Sequence, residues 1–177
     1  MLLIQLNVNA AQKPPIQSHC FIYKDSIYPK LYGYSAKLSA WDTTRQAYSQ
    51  EVDNLRKEIN NKYRLLLEPY QLTQSATKEQ LNARLNDSDK VRYNLIVEEE
   101  DLLELRIKTY NSLLQKQYDM DIKPYIEKVD KALEQFALSN RVDFIWVMEE
   151  LKYGLAYFNK SKDVSKIIVE MVNSNLK

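Results

Sequence analysis

Residues 35–68 form an uninterrupted stretch, SAKLSAWDTTRQAYSQEVDNLRKEINNKYRLLLE, that determines the architecture. The stretch contains neither glycine nor proline, and its apolar residues recur at helical spacing. Two series of positions seven residues apart interleave along it, and seven of the nine positions are apolar: Leu38, Trp41, Arg45, Tyr48, Val52, Leu55, Ile59, Lys62 and Leu66. This spacing is typical of a coiled-coil seam and predicts a single helix about 50 Å long. Pro69 ends it, because a proline ring clashes with the preceding turn.

A second long helix is predicted from Thr77 to about Leu138. Thr77 and Gln80 have the spacing of a capping box, which marks a helix start. Residues 86–89 weaken the pattern, and Pro124 predicts a bend or a restart of the helix. The two helices therefore form an antiparallel hairpin, which we call the arm.

The register of the arm follows from its short connection. Pairing Glu68 with Thr77 places Val52 near Tyr93 and, further along, Leu38 near Ile107.

The second helix carries two apolar stripes, of which only one can face the first helix. The main stripe, which includes Ile96, Leu103 and Ile107, continues the seam. The other stripe lies roughly 100° around the helix and is called the outer stripe: Val91, Leu95, Leu102, Leu105 and Leu113. One partner helix cannot bury both stripes, so either another subunit or a ligand covers the outer one.

The tip of the arm is the better candidate for a binding site. The apolar run from Leu65 to Leu72 exceeds what one seam can bury, and exposed apolar groups at the end of an arm indicate binding. Tyrosine rings add contacts that tolerate many partner sequences. Packing of these groups within the hairpin is an equally weighted alternative. The candidate binding residues lie at the tip and on the inner face of the arm, by which we mean the face that a bound partner would occupy and that carries the outer stripe: Tyr63, Leu67, Tyr70, Leu72, Tyr93, Leu95 and Leu102.

The segments before and after the two long helices are predicted to form short strands. Residues 20–23, 142–147 and 155–158 are β-branched or aromatic, and Asp163 can cap a closing helix from Val164 to about Asn173. That helix is expected to bury Ile167, Ile168, Met171 and Val172. Three short strands do not make a stable sheet alone, whereas three copies could close a barrel. We therefore expect a homotrimer whose contacts include Ile145, Val147, Leu155 and Tyr157.

The fold class predicted is α+β, mostly α, with a coiled-coil arm on a small β body that oligomerises. The arm comprises residues 36–124, and the body comprises 18–35 and 125–177. Residues 1–17 are either a remnant of a secretory signal or a tail, and sequence favours neither.

Composition argues against enzymes and nucleic-acid binders. A single histidine and a single cysteine among 177 residues exclude the usual histidine triads, zinc sites and disulfide frameworks. A net charge of +1 argues against nucleic acid as a partner, and no apolar run is long enough to span a membrane. The run Glu98–Asp101 fans around a helix, so we interpret it as a solvated face and not as a metal site. Cys20, on an apolar strand, is interpreted as a small buried hydrophobe.

The order of these segments resembles the Skp (OmpH-like) family of periplasmic chaperones. The resemblance covers residues 18–177 and is carried by hydrophobic patterns: Ile27–Tyr34 before the arm, Ile122–Ala132 in the returning helix, and Val142–Val147, Leu155–Tyr157 and Asp163–Ile168 at the end. The near-neutral charge departs from the strongly basic members of that family.

The resemblance implies an ATP-independent holdase without cofactor or metal. It implies a periplasmic homotrimer whose arms enclose unfolded outer-membrane proteins, with no stable membrane insertion. The alternative from another class is a structural coiled-coil scaffold or adaptor that binds one folded partner.

Overall fold

The computed structural model describes residues 18–151, 154 and 157–176. Within these, the chain forms two compact units. One unit is Gly33–Ile126, and the other combines the described residues up to Tyr32 with those from Glu127 onward. The predicted tail or signal remnant, residues 1–17, lies outside the described residues.

The first long helix of the arm is α2, Tyr34–Leu67, one residue offset from the prediction. (The four-residue helix α1, Lys24–Ile27, precedes it.) Gly33 caps α2 with φ at 83°, a left-handed conformation that favours glycine. A Cβ at this position would lie 2.8 Å from the Tyr125 hydroxyl oxygen, so a larger residue would displace that side chain. At the other end the chain leaves the helix through a 3₁₀ turn, Glu68–Tyr70, which contains Pro69.

The returning limb of the arm is three helices: α3, Lys78–Arg84; α4, Asp87–Asp121; and α5, Lys123–Asn140. The capping box at the start of α3 is confirmed, since the Gln80 amide donates to Thr77 Oγ1 and the Thr77 amide donates to Gln80 Oε1. The predicted weak place is a complete break, because Asn86 caps α4 afresh. The restart expected beside Pro124 is also present, with α5 beginning at Lys123.

The predicted register of the hairpin is wrong. Val52 lines the same groove as Ile107 and not Tyr93, and Glu51 pairs with Arg106 at 2.8 Å. The reason is that residues 68–86 do not belong to the seam. The 3₁₀ turn, the loop and α3 fold back over the tip. The end of α2 at Leu67 is therefore followed in the seam by the start of α4 at Asp87, and not by Thr77.

The buried side chains of α2 are confined to its last third, beginning at Ile59. This helix is described in full, and none of its residues before Ile59 is buried. They are held against α4 by aromatic pairs and ion pairs instead. The buried residues that α2 contributes to this unit therefore lie near the tip.

The other unit is built around a two-stranded parallel sheet. Strand β1, His19–Ile22, pairs with β2, Phe144–Val147, in the register His19↔Phe144. The third predicted strand is not found in the described residues. Leu155 and Ala156 lie outside them, and Tyr157 and Phe158 are not in a strand. The Phe158 ring instead packs edge-on against Phe21, with centroids 5.2 Å apart.

After α6, Met148–Leu151, and a 3₁₀ turn, the chain closes with α7, Ser165–Ser174. Ile168 and Val172 are buried as predicted, but the other buried residues are Ser165 and Val169, while Ile167 is 44% exposed and Met171 is half-buried. The inward face is set by Ser165, whose hydroxyl accepts a hydrogen bond from the Tyr23 amide and donates one to Asp163. In the described part of the chain no helix is long and apolar enough to cross a bilayer.

Candidate interaction surface

The tip of the arm has a hydrophobic core of its own. Its buried members come from α2, α3, α4 and the residue after α3: Ile59, Tyr63, Leu66, Leu67, Leu81, Leu85, Ile96 and Leu103. Leu81 and Leu85 supply apolar surface that a two-helix hairpin lacks. The tip is therefore a small three-helix assembly.

Two of the predicted binding residues belong to this core. Tyr63 is 5% exposed and Leu67 is 1% exposed. The expectation that these side chains project into solvent is wrong, because α3 and its neighbouring residues fold over them. The alternative interpretation, packing within the hairpin, holds for both.

Three other predicted residues lie half-buried at the edge of the core. Leu72 and Tyr93 pack against the core, and Tyr93 contacts Tyr63 with ring centroids 5.6 Å apart. Tyr70 donates its hydroxyl hydrogen to Asp89 at 2.6 Å, which raises the pKa of Tyr70. Asn86 donates to the same hydroxyl oxygen at 2.8 Å. These residues are restrained by their contacts and offer only part of their surface.

The remaining two, Leu95 and Leu102, are exposed, at 52% and 65%. They belong to the outer stripe, whose other members Val91, Leu105 and Leu113 are also exposed, by 46% or more. The prediction that the first helix leaves this face uncovered is confirmed for the single chain. The stripe thus runs along one face of α4, where Glu98 and Thr109 separate its apolar residues into shorter groups.

One further residue extends the stripe and was missed in the sequence. Met120 is 60% exposed and follows Leu113 by seven residues, which places it on the same face of α4. This seven-residue spacing is the sequence signal that could have identified Met120 as part of the stripe. With Met120 included, the stripe covers about 44 Å of helix axis from Val91.

Two shallow grooves adjoin the stripe between α2 and α4. Leu65 and Leu95 line the groove nearer the tip, and Leu55 and Leu102 line the next one. The salt bridge between Lys62 and Glu99, 2.6 Å long, borders both grooves. Apolar surface therefore continues from α4 toward α2 at both places.

Carboxylates and tyrosines fix the two helices across the seam. Tyr63 donates its hydroxyl hydrogen to Glu100 at 2.9 Å, and Tyr110 donates to Glu51 at 2.7 Å. Burial, followed by the hydrogen bond to Glu100, raises the pKa of Tyr63 well above its ordinary value. The Tyr110 ring also stacks on Tyr48, with centroids 3.9 Å apart.

These contacts revise the interpretation of the acidic run Glu98–Asp101. Glu99 and Glu100 accept hydrogen bonds from α2, although Glu100 is exposed, as are Glu98 and Asp101. Among the described residues no cluster of histidine, cysteine or carboxylate side chains could hold a metal ion.

The unit around the sheet exposes aromatic surface. Phe144 and Trp146 project from β2, 43% and 45% exposed, with stacked rings. Ile145 and Val147 occupy the alternate positions of β2 and are half-buried, and Tyr157 is 82% exposed. The fourth predicted contact residue, Leu155, lies outside the described residues.

Cys20 is buried as predicted, and burial raises the pKa of its thiol.

An apolar cavity of about 340 Å³ lies beside β2 in the same unit. Most of its lining is aromatic or aliphatic: Phe21, Trp146, Met148, Leu151, Tyr157 and Phe158.

Comparison with known proteins gives a family and similar solved structures. A family model described as outer membrane protein (OmpH-like) matches residues 19–172. A crystal structure of a candidate outer membrane chaperone (OmpH-like) from Caulobacter crescentus CB15 is 14% identical, with a TM-score of 0.46 over 96% of this chain and 92% of that one. A likeness of that strength supports no inference about function. A search of curated proteins returned no match.

Proposed function

This chain belongs to the OmpH-like outer membrane protein family, and from that membership we propose that it is an ATP-independent holdase chaperone for unfolded outer-membrane proteins. It binds its clients without catalysing a reaction and without a cofactor. It works in the periplasm, where such clients pass on their way to the outer membrane.

The observation that carries this proposal is the exposed outer stripe of α4. A line of five leucine and valine side chains, each 46% or more exposed, is costly for a protein that has no partner for it. Each contact with a client stabilises the complex by roughly 25 cal/mol per Å² of apolar surface buried. Many weak contacts along the stripe add up through multivalency, so no single client sequence is required.

Within the predicted site, Leu95 and Leu102 are the primary client contacts. The proposal assigns Tyr70, Leu72 and Tyr93 to the border of the surface, since each is half-buried. Tyr63 and Leu67 support the surface from below, because their side chains are in the tip core.

We propose assembly as a homotrimer through the unit that contains the sheet. In the described part of the chain β2 pairs only with β1, so its second edge is available to another copy. Ile145, Val147 and Tyr157, together with Leu155, form the contact. A trimer also presents three outer stripes to one client, which raises the overall affinity.

The test is suppression of aggregation of a urea-unfolded outer-membrane β-barrel protein on dilution. Leu95→Ser and Leu102→Ser together should reduce protection severalfold, because two central contacts are lost. Leu138→Ser is the matched control, since Leu138 is a leucine on α5 that is 75% exposed and outside the stripe. Equal protection by the double variant and the control would refute the assignment of the stripe.

Light scattering tests the homotrimer, and binding to native proteins tests the scaffold or adaptor alternative. A monomer at micromolar concentration contradicts the trimer. Stoichiometric binding of one folded protein, with no preference for unfolded chains, supports the scaffold or adaptor alternative instead.

A further inference from the structure

The outer stripe of α4 matches a second copy of itself laid in the opposite direction. Four of the five stripe residues, the leucines, are arranged symmetrically to within one residue about the middle of the segment, near Leu103 and Glu104, whereas Val91 has no apolar counterpart. In such a pair Leu95 lies at the level of the partner's Leu113, and Leu102 lies at the level of the partner's Leu105. All four leucines are exposed in the single chain, by 46% to 65%.

Charged residues beside the stripe show the same symmetry. Asp101 and Lys108 flank the stripe on one side, on either side of its midpoint, and both are exposed. Antiparallel coiled helices bring flanking positions of this kind opposite one another. Asp101 therefore meets the partner's Lys108, and the two-fold symmetry repeats the pair.

A parallel arrangement of two α4 helices is disfavoured by the same sequence. It would place Glu98 against the partner's Glu98 and Lys116 against the partner's Lys116, within the stripe itself. Like charges at facing positions are destabilising. In the antiparallel pair Glu98 lies at the level of the partner's Thr109, and Lys116 lies at the level of the partner's Val91.

We propose that two copies of this chain, which belong to different trimers of the kind proposed above, associate through their outer stripes as an antiparallel, two-fold symmetric pair of α4 helices. Such an interface is isologous, which means that both copies use the same surface and make the same contacts. It covers Leu95 and Leu102, which the proposed function assigns to the client. This role rests on the proposed function: the pairing protects the apolar surface when no client is present, and a client must displace the partner copy.

Cysteine cross-linking of the full-length chain tests the orientation. Leu95→Cys and Leu113→Cys variants should cross-link when mixed and oxidised, whereas each variant alone should not. In the antiparallel pair, two copies of residue 95 are separated by about 27 Å along the axis, far beyond disulfide reach. The unmodified chain is the control, since its one cysteine, Cys20, is 4% exposed. Cross-linking of Leu95→Cys with itself, or no cross-link in the mixture, overturns the proposal.

Charge reversal in the cysteine variants tests the complementarity. Asp101→Lys should lower the cross-linking yield severalfold, and adding Lys108→Asp should restore it. Asp53→Lys on α2 makes the same change in charge away from the stripe and should have no effect. A yield that Asp101→Lys leaves unchanged, or that Lys108→Asp does not rescue, overturns the pairing.

Addition of the urea-unfolded β-barrel client separates this proposal from the holdase function. When the client is added before oxidation, loss of cross-linking supports competition for one surface. An unchanged cross-linking yield when oxidation follows full client protection refutes competition. If the mixed variants cross-link but the Leu95→Ser, Leu102→Ser chain protects clients fully, then pairing stands and the client site lies elsewhere.

Discussion

Replacing Leu67 by alanine should destabilise the tip of the arm by about 3 kcal/mol, within the range of about 2–5 kcal/mol for buried leucines. Leu67 is 1% exposed and contacts a core that includes residues of all three tip helices, so truncation leaves a cavity that the long helices cannot close. Leu65, two residues earlier on α2, is 57% exposed and is the matched control. Its replacement by alanine should change stability by no more than about 0.5 kcal/mol.

Hydrogen exchange measured by mass spectrometry assigns the effect to the tip. A loss of 3 kcal/mol corresponds to exchange roughly a hundredfold faster in the protected amides around Ile59 and Leu103, since about 1.4 kcal/mol is a factor of ten. Amides of β1 and α7, in the other unit, should exchange at unchanged rates. Equal effects of Leu67→Ala and Leu65→Ala, or no acceleration at the tip, would refute the reasoning that the tip core is the main source of stability in the arm.

Three further predictions concern the limits of the arm. Gly33→Ala should destabilise it by about 1–3 kcal/mol in thermal unfolding, because alanine is strained at φ 83° and its Cβ meets the Tyr125 hydroxyl; an unchanged midpoint contradicts this. The raised pKa of Tyr63 means that its stabilising contribution is complete below the ordinary tyrosine pKa of about 10 and is lost as pH rises toward the folded-state pKa. The urea midpoint should therefore fall more steeply above pH 10 in the unmodified chain than in Tyr63→Phe, and parallel pH profiles would count against it. Thr77→Ala removes the capping box and should cost about 1 kcal/mol, detected as faster exchange in α3 but not in α5; uniform acceleration in both helices would point to a different cause.

The long helices were predictable because their signals are local. The seven-residue repeat of residues 35–68 and the position of Pro69 gave α2 to within one residue at each end. Thr77 and Gln80 likewise located the start of α3. The outer stripe could be identified as surplus because its spacing places it away from the seam on any straight helix.

The register and the burial of the tip depend on contacts that no local pattern encodes. Asn86 followed by Asp89 is a helix-start signal, since the Asn86 side chain accepts from the Asp89 amide at 2.8 Å. Taken as such, it would have separated α3 from α4 and removed residues 68–86 from the seam. Without that break, Leu81 and Leu85 have no role at the tip, and the sequence leaves exposure and internal packing of Tyr63 and Leu67 as equal alternatives. The buried face of α7 differs from the prediction for a related reason. Ser165 is buried because it forms a hydrogen bond with a residue distant in sequence, which no local pattern indicates.

The concentration of buried side chains at the tip has a consequence for the order in which the arm folds. The buried residues from Ile59 to Leu103 are close in sequence, so they can meet after only short loops have closed. The early part of α2 and the late part of α4 have no such core, and they gain partners one at a time, starting beside the tip. We therefore expect the arm to nucleate at its tip and to zip toward Tyr34, so that Leu81→Ala slows refolding while loss of the stacked Tyr48 ring mainly speeds unfolding. During synthesis the nucleus is complete once Leu103 has left the ribosome, before the chain has made β2.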